Sequence, residues 1–189
     1  SGAALIYPPL MDPTSAYHPL KVLDDHARHT GLAPAVIIDA NIEGFHWTLR
    51  DDVSVELRSR AKMLQAAVLD GHSHLQAEQQ VALARMFLPD VEDVRAAVRV
   101  LRDPVHFYDY PRYRRAVAIV SGWMSLVFAT SAYPGCVTDG FNLDLSGVVN
   151  LGDFDAVGDP SFLDGIVMPY RDYIDRSLIP RIASCNLVG

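Results

Sequence analysis

Two short apolar runs stand near the start of the chain, Ala3 to Tyr7 and Ala35 to Asp39 ("AVIID"), and neither alternates with polar residues. Such runs predict strands covered on both faces. Between them, "YHPLKVLDDHARHTG" places Leu20, Leu23 and Ala27 at helical spacing and ends on Gly31, a residue suited to the left-handed position past a helix end. Strand, helix, strand predicts a βαβ unit with parallel strands and a right-handed crossover. Pro8 and Pro9 stop the first strand, because proline offers no ladder N–H and fixes its own φ. The stiff, polar loop beyond them is pinned at the strand's carboxyl end.

From about Ile42 to Arg102 the period changes. "VSVELRSRAKMLQAAVLDG", "HLQAEQQVALARMFL" and "DVEDVRAAVRVLRD" carry apolar residues at i, i+3, i+4 and i+7, punctuated by Gly71, Pro89 and Pro104. A longer helix is predicted over "PRYRRAVAIVSGWMSLVFATSA", roughly Pro111 to Ala132, and is apolar nearly all round, which makes it the most buried helix of the block. Residues 133 to 158 turn to Gly, Asp and Asn around "FNLDLSGVV", a pattern for a short hairpin or a loop with β pieces. Helix returns in "PSFLDGIVMPYRDYIDRSLIPRIAS", and "CNLVG" begins like a third buried strand that stops at Gly189. The fold class expected is α/β: a small parallel sheet of two to three strands, incomplete, with a large, mainly helical insertion over about 43–183, all in one domain of 1–189.

Bulk composition narrows the function classes. Hydrophobic residues make up 50% and charged ones 21%, which excludes a disordered chain, and no apolar run reaches the roughly 20 residues that cross a bilayer. The formal charge is -7, and only Arg112, Arg114 and Arg115 cluster among the basic residues, so neither nucleic acid nor membrane is expected as a partner. Cys136 and Cys185 fit no metal or redox spacing. With no basic segment leading into a signal-type apolar stretch, the expected compartment is cytoplasmic.

In an open parallel sheet ligands lie beyond the carboxyl ends of the strands. The loop after the first strand is therefore the first candidate site: Pro8 and Pro9 stiffen it, while Thr14, Ser15 and main-chain N–H groups can hydrogen-bond a ligand. Asp12 to Ser15 can equally make a turn and cap the helix that begins near Pro19. Asp39, Asn41 and Glu43, at the end of the second strand, divide in the same way between accepting hydrogen bonds from a ligand and capping a helix. No glycine-rich phosphate motif follows either strand. His26 with His29 and His72 with His74 lack a completing Cys or carboxylate set for zinc and read as surface or capping residues. His46 and Trp47 read as a partly buried pair near the sheet rim, and Tyr108, Tyr110 and Tyr113 beside the three arginines as packing on neighbouring segments.

Taken together, "ALIYPPLMDPTSAYHPLKVLDDHARHTGLAPAVIIDANIEGF", "LRDPVHFYDYPRYRRAV" and "MPYRDYIDRSLIPRIASCNLVG" resemble the N-terminal cobalamin (vitamin B12)-binding domain of cobalamin-dependent radical S-adenosylmethionine enzymes, many of them methyltransferases. The resemblance implies a Rossmann-like sheet with cobalamin across its carboxyl edge. It implies corrin contacts from Pro8, Pro9, Leu10, Thr14 and Ser15 in the first loop and from Ala40 and Asn41 in the second.

The chain departs from that family's pattern in two places. The DxHxxG that supplies a histidine lower ligand in some cobalamin domains is absent: "DDHARH" and "DGHSHL" lack the final glycine and neither directly follows the first strand. No CxxxCxxC is present to hold an iron-sulfur cluster. The chain would then carry no catalytic or metal-ligating residue of its own, and the cluster and S-adenosylmethionine would belong to a downstream radical domain of a longer protein. With the third strand stopped at Gly189, weak corrin binding or none is expected. The alternative is a non-catalytic helical protein-interaction module with a degenerate Rossmann-like core; an enzyme acting through Asp39 and Glu43 has no supporting constellation.

Overall fold

The computed structural model describes residues 3–8, 18–31, 36–75, 77–106, 108–131, 155 and 158–188. The hairpin expected over 133–158 falls almost wholly outside them, as does Cys136. The described chain is mostly helical with a small parallel sheet, and it divides into two compact units: Ser1–Trp47 with Tyr170–Gly189, and Thr48–Pro169.

In the first unit, β1 (Ala3–Tyr7) and β2 (Val36–Asp39) pair in parallel, joined through α1 (His18–His29), as the βαβ pattern predicts. Gly31 takes φ 81°, the left-handed position expected past the helix end. The face that α1 buries differs from the expected one. Leu20 and Asp24 are buried, one turn apart, while Leu23 is 54% exposed. A buried carboxylate is tolerated there because Arg28 Nε donates to Asp24 Oδ2 at 2.7 Å.

No loop follows β2. The strand runs at Ala40 straight into α2 (Ala40–Thr48), which the sequence pattern placed only from about residue 42. Asp39 makes the transition possible: its Oδ1 accepts from the backbone N–H of Ile42 at 3.0 Å, satisfying one of the amides a helix start leaves without a partner.

The C-terminal run is less regular than one helix. A 3-10 turn, Met168–Tyr170, leads into α8 (Arg171–Tyr173), a π-helical segment Ile174–Leu178 and α9 (Ile179–Ile182). Pro169 sits in the 3-10 turn. Pro180, which has no N–H and clashes with the carbonyl four residues back, stands two residues past the π segment, after Ile179. β3 (Leu187–Val188) then pairs in parallel with β1, Ala3 opposite Leu187 and Ala4 opposite Val188, giving the strand order β2-β1-β3. A two-residue edge strand covers little, and Val188 is 48% exposed rather than buried. Burial on both faces likewise holds only for the middle of the sheet, at Ala4 and Ile38; Val36 is 43% exposed. Ile38, Ala40, Tyr173 and Leu178 form the unit's core, with Ile6, Trp47, Ile174 and Ile182 packed against it.

The second unit is helical: α3 (Asp51–Leu69), α4 (Ala77–Arg85), α5 (Val91–Arg102), α6 (Tyr110–Ala129) and α7 (Pro160–Val167). Helix α6 is the most buried of them, as its all-round apolar sequence predicts, and it carries Trp123, Met124, Leu126 and Val127 at 1% exposure or less. Each such large side chain contributes roughly 1.5–3 kcal/mol by leaving water. Aspartates start three of these helices: Asp90, Asp109 and Asp159 accept from the amides of Glu92, Arg112 and Ser161. The bonds around Asp90 and Asp159 hold their carboxyls below the usual range: at Asp90 the Glu92 amide leads, then Arg58, and at Asp159 the Ser161 hydroxyl and amide lead. Gln65 Nε2 reaches the carbonyls of Leu83 and Met86, at 3.0 and 3.2 Å, and so satisfies acceptors at the end of α4. Among the described residues no helix is long and apolar enough to cross a membrane.

Candidate functional site

The carboxyl edge of the sheet is where the fold places ligand-accessible backbone. Tyr7 lies opposite Asp39 in the parallel register, so Pro8 and Ala40 leave the two strands side by side. Pro8 is exposed. Pro9, Leu10, Thr14 and Ser15 lie outside the described residues.

Ala40 and Asn41 do not border a second loop, as the resemblance implied. They form the first turn of α2 because β2 passes into that helix without an intervening residue, and both are buried, at 0% and 2% exposure. The methyl of Ala40 is spent in the core with Ile38, Tyr173 and Leu178.

Behind this edge is a polar cluster that sequence spacing did not bring together. Glu43, one turn into α2, receives a hydrogen bond from the Tyr173 hydroxyl at 3.0 Å and pairs with Arg181 on α9. The indole N–H of Trp47 donates to Asp172 Oδ2 at 3.2 Å, and its ring lies tilted against Tyr173, centroids 5.8 Å apart. The Tyr173 phenol is pushed far above its ordinary pKa, by burial first and then by the charge and hydrogen bond of Glu43. The nearby Arg181 charge works in the other direction. Tyr170, wholly enclosed, is raised by burial alone.

Gly44 is what admits these rings. A Cβ at that position would stand 3.1 Å from Tyr170 Cδ1 and 3.5 Å from Tyr173 Cδ1. In sequence the only trace of this contact is a glycine inside a helical segment and, far along the chain, a "YRDY" motif.

Asp39 and Glu43 are thus engaged structurally, one capping α2 and the other paired with Tyr173 and Arg181. His46 is exposed and meets Phe45 edge-on, centroids 5.7 Å apart, and is not the partly buried companion of Trp47 that the sequence suggested. His29 Nδ1 lies 2.6 Å from the Asp25 carbonyl, a local bond at the end of α1. Among the described residues no three His, Cys, Asp or Glu side chains gather as a metal set, and Cys185 is an unpaired, half-buried thiol.

Compared with protein-family models, with curated proteins and with solved structures, the chain matches none.

Proposed function

We propose that the chain is the N-terminal cobalamin-binding part of a radical S-adenosylmethionine methyltransferase, with a Rossmann-like first unit seating the corrin at the carboxyl edge of its sheet. The observation that supports this reading is the strand order. With β2 and β3 on opposite sides of β1 and all pairings parallel, the order reverses between β1 and β3, the switch point where such sheets bind ligands, and β1 ends there at the exposed Pro8. The donor chemistry there also fits. The edge offers an exposed proline and the N–H groups of a helix start, which suit a flat ligand rimmed with amides.

In this reading Pro8 and Pro9 fix the loop against the corrin, Leu10, Thr14 and Ser15 continue the contact, and Ala40 and Asn41 contribute through the first turn of α2. Cobalamin would carry the methyl group when bound. The cluster and S-adenosylmethionine would act from a downstream domain. Titrating the full chain with hydroxocobalamin, followed by its absorbance up to about 1 mM, tests the reading, since a corrin site on this edge need only reach an affinity of that order. Saturable binding that weakens about tenfold or more in Pro8→Gly/Pro9→Gly is the expected result. Absence of binding, or binding unchanged in that variant, overturns it.

A helical protein-interaction module is the second reading. The exposed Arg112, Arg114, Arg115, Tyr108 and Tyr110 where α5 connects to α6 favour it.

A further inference from the structure

Helices α5 and α6 are joined by the short segment 103–109, and Gly122 of α6 lies against Phe87 and Pro89, just ahead of α5. The two therefore run antiparallel, and the end of α5 and the start of α6 share one end of the hairpin. That end gathers Arg99 and Arg102 from the last turn of α5 with Arg112, Arg114 and Arg115 from the start of α6. All five are exposed, in a chain of formal charge -7.

Arg102 is engaged, and most arginines elsewhere in the described chain are matched. Arg28, Arg50, Arg58, Arg95, Arg176 and Arg181 each pair with a carboxylate. Among the described residues, the side chains of Arg99, Arg112, Arg114 and Arg115 form no ion pair or hydrogen bond. The two acids at this end are committed elsewhere: Asp103 accepts from the Val105 amide and faces His106 at 3.4 Å, and Asp109 caps α6.

Folding accounts for only part of this arrangement. Cations in the last turn of α5 are favoured by the helix dipole, but Arg112 stands in the first turn of α6, where the dipole disfavours a cation. Apolar surface accompanies the charge. Val105, Tyr108 and Tyr110 are 78%, 88% and 68% exposed, and a shallow hollow of about 400 Å³ opens between Leu101, Arg102, Asp103, Pro104 and Tyr108. Arginine and tyrosine around a hollow is the composition of protein-binding hot spots.

We propose that the connecting end of the α5–α6 hairpin is a docking surface for an acidic protein segment, with the arginines meeting Asp and Glu side chains and Tyr108 and Tyr110 covering its apolar parts. Charge complementarity identifies the occupant. A nucleic acid is disfavoured by the overall negative charge and by Asp109, which already occupies an amide at the start of α6 where a phosphate would sit. The proposal does not depend on corrin binding, because it concerns the second unit alone.

The test is fluorescence anisotropy of the full chain with a labelled (Asp-Glu)8 peptide and, separately, with a labelled oligothymidylate of matching charge, at about 50 and about 200 mM salt, a range over which screening shortens appreciably. The peptide is expected to bind, more weakly at the higher salt. Binding should fall about tenfold or more in Arg112→Ser/Arg114→Ser/Arg115→Ser and several-fold in Tyr108→Ala/Tyr110→Ala. Both variants alter exposed side chains, and an unchanged melting temperature will confirm that they fold. No peptide binding, equal binding by the arginine variant, or tighter binding of the oligothymidylate overturns the proposal. Hydroxocobalamin binding unchanged in the arginine variant keeps this result separate from the cofactor reading.

Discussion

The hydroxyl of Tyr173 donates to Glu43 Oε2 at 3.0 Å, joining α2 to the C-terminal helical run across 130 positions of sequence. Arg181 binds the same carboxylate oxygen, and Trp47 lies against the Tyr173 ring. Removing the hydroxyl alone, as in Tyr173→Phe, is expected to lower the unfolding free energy by about 1 kcal/mol, the usual net worth of one such bond. Urea denaturation monitored by near-ultraviolet absorbance and tryptophan emission will read it, with Trp47 reporting on this cluster. Glu43→Gln should cost less than the loss of a buried ion pair, because Glu43 and Arg181 keep 36% and 40% side-chain exposure.

Alkaline stability follows from the same ring. Tyr173 and Tyr170 hold their protons above the pKa of an unfolded tyrosine, about 10, so the unfolded chain gives up protons first. Their contribution is present in full below about pH 10 and is lost as pH rises through the folded values. Melting temperatures measured from about pH 8 to pH 11 should therefore fall above about pH 10, less steeply in Tyr173→Phe. An identical slope in both proteins would contradict this.

In the second unit, Trp123 Nε1 donates to Thr48 Oγ1 at 2.9 Å, with both residues at 0% exposure. Thr48→Val keeps the shape and leaves the indole N–H without that partner. A loss of about 1–3 kcal/mol is expected by chemical denaturation, whereas Trp123→Phe combined with Thr48→Val should lose less than the two single changes added together.

Two helical glycines should answer alanine differently. At Gly44 the new Cβ would press on Tyr170, which is 1% exposed and cannot yield, so Gly44→Ala should destabilise by about 1–3 kcal/mol despite the better helix propensity of alanine. At Gly122 the nearest atom is Phe87 Cδ1, at 3.0 Å, and that side chain is 61% exposed and can swing away. There the propensity gain of up to about 1 kcal/mol should offset the contact. Thermal melts of the two variants side by side will decide.

Local pattern carried much of this fold into the sequence. The bounds of β1, the start of α1, the αL glycine at Gly31 and the burial of α6 all follow from apolar spacing and from proline and glycine positions. Where the pattern misled, a tertiary interaction had overruled it. Asp24 turned inward because Arg28 could pair with it, and β2 passed directly into α2 because Asp39 could cap the helix. The Glu43–Tyr173–Arg181 cluster had no spacing to betray it, since its members meet only after the second unit has been spanned. The helix-capping role of Asp90, Asp109 and Asp159, in contrast, was available from an Asp standing just ahead of each apolar-periodic run.

The pairing of Ala4 with Val188 sets an order of events during synthesis. The central strand of the sheet is made before β2 and soon finds it, but its other side has no partner until β3 is made. At roughly 5–20 residues per second that delay is on the order of ten to forty seconds. For that time β1 presents a row of unmatched amides and carbonyls to the cell, the kind of edge that invites pairing between chains. The nascent protein is therefore most vulnerable at β1, and a chaperone would be what shields it then.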